Sequence, residues 1–303
     1  QEGLTSGNAY DNGFRKSYKV TNGDNNADTN DQSKINYKIE AQDLANSGWS
    51  HKNPNSFVTL SFWVKSSVAQ TFNVHIYAED ANMAYGFEYS ATTSWTKITH
   101  SIPGHASLGI NNDNGTGFNI QWYLYMGTDT TSSSFTNADW HTYSGSSRSK
   151  DMTTTWQTTN DATFELTGVQ LEVGPVATPF EHRSFGDELR RCQRYCFRLG
   201  GGTDTESGTT LAMGVQSHST TCKSHIQFPV MMRSKDITFT FSDLSLDDDV
   251  AGYSAGRITG VQAEISGTTS SSLIFDTASM GTVNVTRVVT DAVGGYIQGD
   301  CEL

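Results

Sequence analysis

The chain has 303 residues, 28 of them Gly, with 17% charged side chains and a formal net charge of -12 at pH 7. That charge repels phosphate backbones and anionic lipid, and no run of Lys/Arg offsets it along the sequence, so no nucleic-acid partner is expected. No apolar stretch approaches the roughly 20 residues of a membrane helix, so no membrane insertion is expected either. The length allows two cores, and 11% aromatic residues can fill them. Ser, Thr, Asn and Gly crowd the chain while helix formers are sparse, which predicts an all-β fold. The first residues carry no secretion signal and no Met, which suggests a fragment or processed chain whose N-terminal part is missing, and any such part could hold an attachment region.

Strand signals follow in order: "KINYKIEA", "FVTLSFWVKS", "TFNVHIYAED", "YGFEYSA", "WTKITHSI", "GFNIQWYLYMG" and "ATFELTGVQLEVG", each bounded by turn formers. About seven strands so spaced predict a β-sandwich or jelly roll. Alternation puts Leu60, Phe62 and Val64 on one side, as it does Phe72, Val74 and Ile76, and Phe118, Ile120, Trp122 and Leu124; these are the expected core. The opposite sides carry Trp63, His75, Tyr77, Asn119, Gln121, Tyr123 and Tyr125. Rings interleaved with amides suit a sugar, which has an apolar face for stacking and hydroxyls for hydrogen bonds. The alternative is that these rings pack under loops or against another subunit.

The period breaks after Val173. Pro175 and Pro179 stiffen the chain, and Ser184 can then cap a short helix from Asp187 to Tyr195, with acids in its first turn and Arg190, Arg191 and Arg194 toward its end. Gly200, Gly201 and Gly202 stop the helix, and a second β pattern runs from "TLAMGVQS" to "GGYIQGDCEL". The expected organisation is a sandwich over 1–182, a connector and short helix over 183–198, and a smaller C-terminal β-sandwich over 199–303.

The blocks "TLSFWVKSS", "WTKITHSIPG", "TGVQLEVGPVATPFEHRSFGDELRRCQRY", "FPVMMRS" and "GDCEL" resemble, in this order, C-terminal regions of tail-fibre-like structural proteins of marine tailed bacteriophages, including cyanobacterial phages. The resemblance covers about residues 33–303 and is most specific from Thr167 to Tyr195. Cys196 departs from it, standing where the family has an aromatic. It implies a first domain similar to carbohydrate-binding modules and a smaller second β domain. It also implies a virion fibre or spike component assembled in the bacterial host cytoplasm, with other virion proteins and host-surface glycan as partners. A homotrimer is expected, partly from fibres and partly from the outward rings. Modules of this type often hold a structural calcium beside the terminal strands; Glu40 and Glu172 are the carboxylates to watch for it here, the alternative being that both face solvent or join a salt bridge.

Catalytic motifs are absent: the sequence has no GxSxG elbow, HExxH, P-loop or paired His/Cys metal spacing. No enzymatic activity and no cofactor beyond that calcium are expected. Asp24, Asn26, Asp28 and Asn30 begin like an EF-hand loop, but Thr29 and Ile35 replace its Gly and bidentate Glu. Cys192, Cys196, Cys222 and Cys301 read as reduced thiols, with a bridge within the C-terminal part as the alternative, and the acidic run Asp247 to Asp249 reads as a solvated loop. His51, His100, His105 and His141 read as surface residues. "NADWHTYSG" follows a long polar loop, where binding residues collect. The candidate glycan site is therefore Trp140, Tyr143, Tyr123 and Tyr125. The competing functions are a tail or capsid decoration module without ligand and, third, a polysaccharide depolymerase, which needs two or three carboxylates in a groove.

Overall fold

A computed structural model describes residues 1–23, 26–203, 205–247, 256–277 and 286–302. The chain is mainly β, about 48% strand against 9% helix, in several antiparallel sheets. It divides into two compact units, Gln1–Glu181 and His182–Leu303.

The first unit contains β1 (Glu2–Gly3), β2 (Lys16–Thr21), β3 (Gln32–Glu40), β4 (Phe57–Ser66), β5 (Gln70–Ala78), β6 (Met83–Ala91), β7 (Thr96–Pro103), β8 (Thr116–Met126), β9 (Trp140–Thr142) and β10 (Thr163–Val173). They form two five-stranded sheets, ordered β1-β2-β10-β4-β7 and β3-β8-β5-β6-β9. The alternating apolar residues of β4, β5 and β8 all enter the core between the sheets. There the Phe62 ring meets the Trp122 and Tyr89 rings edge-on at 5.8 and 5.2 Å. Burying each such side chain stabilises the unit by about 1.5–3 kcal/mol.

The outer side of the first sheet is covered as well. Leu4, Ala9, Phe14 and Trp95 form a small cluster against Trp63 and Phe180. Trp63, on the side opposite the core, is thus roofed by the N-terminal segment, in line with the alternative that rings pack under other chain segments. The Phe14 ring lies so close to Gly168 that a Cβ there would meet its Cζ at 2.5 Å, and the φ of +58° at Gly168 also favours glycine. This is where β10 shifts register against β4, between Thr167 and Gln170.

The second unit contains β11 (Cys196–Gly200), β12 (Thr210–His218), β13 (Thr221–Gln227), β14 (Thr238–Ser242), β15 (Leu244–Asp247), β16 (Ile258–Ser266), β17 (Ser270–Thr277), β18 (Thr286–Thr290) and β19 (Tyr296–Asp300). A three-stranded sheet, β11-β19-β14, and a six-stranded one, β15-β18-β12-β13-β17-β16, share a core around Phe197, Phe275, Val288 and Ile297. Asp247 ends β15 in an ion pair with Arg287 at 2.6 Å, while Asp248 and Asp249 lie outside the described residues.

The unit opens with the helix Phe185–Gln193, two residues earlier than the sequence predicts, because Phe185 and Gly186 already follow the cap. Ser184 Oγ accepts a hydrogen bond from the Asp187 backbone N–H at 3.2 Å. The helix end is tied down where Arg194 O accepts from Arg233 N at 3.0 Å, but none of its residues from 185 to 193 is buried. The four cysteines are free thiols, and no helix among the described residues is long and apolar enough to cross a membrane.

Candidate functional site

The outer face of the sheet β3-β8-β5-β6-β9 is a polar grid whose rows follow from register. One row reads Lys34, Tyr123, Asn73 and Glu88; the next reads Asn36, Gln121, His75 and Gly86; the third reads Lys38, Asn119, Tyr77, Ala84 and His141. Each row is set by antiparallel pairing, which places opposite residues on the same face.

A loop after β8 folds over part of this grid. The Phe135 ring occupies the space above Gly86, where a Cβ would sit 2.7 Å from its Cζ, so any larger residue would displace the loop. Ala138 N donates to Gly86 O at 2.7 Å, and Tyr143 N donates to Asn82 O at 2.9 Å. Tyr143 then rests 4.3 Å from the Tyr77 ring and 6.0 Å from His75, and the Arg148 guanidinium lies 5.9 Å from the Tyr143 centroid.

His75 is the centre of this arrangement. It is 1% exposed and stacks on Tyr123 at 5.6 Å. Among the described residues neither ring nitrogen makes a hydrogen bond, nor do Oδ1 of Asn73 and Oδ1 of Asn119 beside it. Burial lowers His75 from 6.5 to about 3; the charges of His141, Arg148 and Lys34 push the same way and Gln121 opposes them. The ring is therefore neutral at physiological pH and presents one donor and one acceptor. Buried polar groups left without partners are uncommon; some lie elsewhere, such as Tyr89 and Trp122 in the core and Thr277 in the second unit, but those of His75, Asn73 and Asn119 share this one face.

The four residues predicted as a glycan site do not form one open surface. Trp140 is a core residue. It pairs with Tyr85 across β6 and β9, so alternation turns it inward while His141 faces the grid. Its Nε1 donates to Pro103 O at 2.7 Å and its ring meets Tyr85 at 5.2 Å. Tyr123 lies in the grid but is fully buried, its hydroxyl donating to Gln121 Oε1 at 2.8 Å, and burial pushes its phenol well up. Tyr125 is 4% exposed and also raised by burial, with Asp31 and Asp28 adding to the shift. Tyr143 is half-buried and keeps an open edge. Tyr77, noted for its outward face but left out of the site, joins it. His100, expected at the surface, stacks on Phe87 at 3.9 Å and is lowered by burial.

Among the described residues no group of three His, Cys, Asp or Glu is arranged to hold a metal ion. Glu172 accepts hydrogen bonds from the Thr178 backbone N–H and hydroxyl, at 2.6 and 3.0 Å, which pins the connector. Glu40 is buried and accepts from Gln42 at 2.5 Å. Asp24 of the EF-hand-like run lies outside the described residues; Asn26 donates to Asp28 at 2.9 Å.

No family model and no curated protein matches the chain. Among solved structures it is similar to the crystal structure of Cucumber Necrosis Virus at 12% identity, over 95% of this chain and 86% of that one. The TM-score is 0.17, too low to carry an inference about fold or function.

Proposed function

We propose that the chain is a non-enzymatic virion fibre or spike component whose first unit adsorbs to host-surface glycan through the outer face of the sheet β3-β8-β5-β6-β9. The virion assignment is supported by the block order of the sequence. The glycan assignment is carried by one observation: His75, Asn73 and Asn119 hold buried polar atoms with no partner among the described residues, beside the half-buried rings of Tyr77 and Tyr143. Unpaired amides and a neutral imidazole match sugar hydroxyls, and the two rings match the apolar face of a pyranose.

Adsorption through several copies fits weak single sites. Removing one ring costs about 1 kcal/mol, or roughly fivefold per site, and about a hundredfold when three sites act together. Tyr143→Ala and Tyr77→Ala should therefore lower retention on immobilised host polysaccharide while the melting temperature holds. Unchanged retention by both folded variants would remove the glycan site from this face.

The architectural reading, a decoration or assembly module without ligand, has its own support in the helix Phe185–Gln193. Phe185, Leu189 and Cys192 are exposed on the helix at spacings of four and three. That is the pattern of a seam between helices, and a second and third copy of this chain would cover it. The two readings are compatible in a homotrimeric fibre.

A further inference from the structure

The acidic chain gathers cations at one end of this face. Lys34 Nζ and Arg148 Nη1 both donate to the same neutral acceptor, Gln32 Oε1, at 3.2 and 3.4 Å. Neither forms an ion pair with a carboxylate among the described residues, and Nε of Arg148 is buried without a partner. Glu88, the carboxylate in the same rows, is already engaged by Asn137 and by Lys150 at 3.7 Å. Lys34 is lowered first by burial and then by the Arg148 charge. Two half-buried like charges that share one neutral oxygen repel each other, and in a chain of net charge -12 nothing in the fold requires them to meet. A ligand anion would remove the repulsion and give the guanidinium the bidentate partner that its fork matches.

Resting on the glycan reading above, we infer that the sugar taken by this face is acidic, its carboxylate or sulfate ester seated between Lys34 and Arg148 beside the half-buried ring of Tyr143. A neutral sugar would leave both cations uncompensated and so binds less well. General electrostatics does not supply this preference, because the whole chain repels polyanions.

The test is affinity electrophoresis of the full chain through gels containing alginate, dextran sulfate or unmodified dextran at physiological salt. Retardation by alginate or by dextran sulfate, well above that by dextran, is expected; which of the two acts distinguishes a carboxylate from a sulfate. The double variant Lys34→Ala/Arg148→Ala should weaken that retardation at least about tenfold, the loss of a charge-assisted contact. Lys16→Ala, on an exposed stretch of the other sheet, should change it by less than about twofold. Arg148→Lys should fall between, and thermal melting checks that each variant folds. Equal retardation by dextran and the two polyanions, or an unchanged double variant, would overturn the acidic preference and leave glycan binding standing. Absence of retardation by all three polymers would overturn both.

Discussion

Acid should destabilise the first unit through His75 in particular. Its imidazole is held neutral in the folded chain down to about 3, against 6.5 when unfolded. Between those values the unfolded chain binds a proton that the folded chain refuses, so stability is complete above 6.5 and is lost as pH falls. The slope is about 1.4 kcal/mol per pH unit for this one group. At pH 5 the loss is about 2 kcal/mol, equivalent to about 4–8 °C in a unit of this size. Tryptophan fluorescence isolates the effect, because all six Trp residues, at 49, 63, 95, 122, 140 and 156, lie in the first unit. Urea unfolding followed this way at pH 7.5 and pH 5.0 should show a difference that shrinks by about 2 kcal/mol in His75→Gln, since the remaining titrating groups, His51 and His100 included, cancel in the comparison. Parallel pH profiles for the two proteins would show that His75 is protonated without cost and that its buried setting is misread.

Trp140→Ala should cost about 3–5 kcal/mol in urea unfolding, because it empties part of the core and leaves Pro103 O without its donor; near-normal stability would place that ring outside the core. Leu189→Asp should lower the mass seen by light scattering to that of a monomer while the fluorescence melt of the first unit is unchanged, since the helix buries nothing within the chain. A wild-type chain that is already monomeric at high micromolar concentration would refute the helix seam.

Much of this fold was legible because period-2 alternation is a local property. Val58 through Val64, Phe72 through Ile76 and Phe118 through Leu124 point to the core wherever their strands are placed, as does the cap at Ser184 for the helix. The strands that escaped notice are short or polar: Lys16–Thr21, Trp140–Thr142 and Leu244–Asp247 owe their existence to a partner strand rather than to their own pattern. The same dependence governs the rings near β9. Trp140 and Tyr143 stand three residues apart in one loop-like stretch, and only the pairing of Trp140 with Tyr85 decides that the indole faces the core while Tyr143 returns to the outer face. Likewise alternation put Tyr123 and His75 on the outward side, but whether that side is open depended on where residues 127–151 fold back. The cation cluster was hidden for the same reason, since Lys34 and Arg148 are separated by more than a hundred residues and meet only through Gln32. Composition and alternation determine which faces a β chain must bury; the long-range register of its sheets and the path of its loops, which no local pattern encodes, decide which polar groups are brought together and which remain without partners.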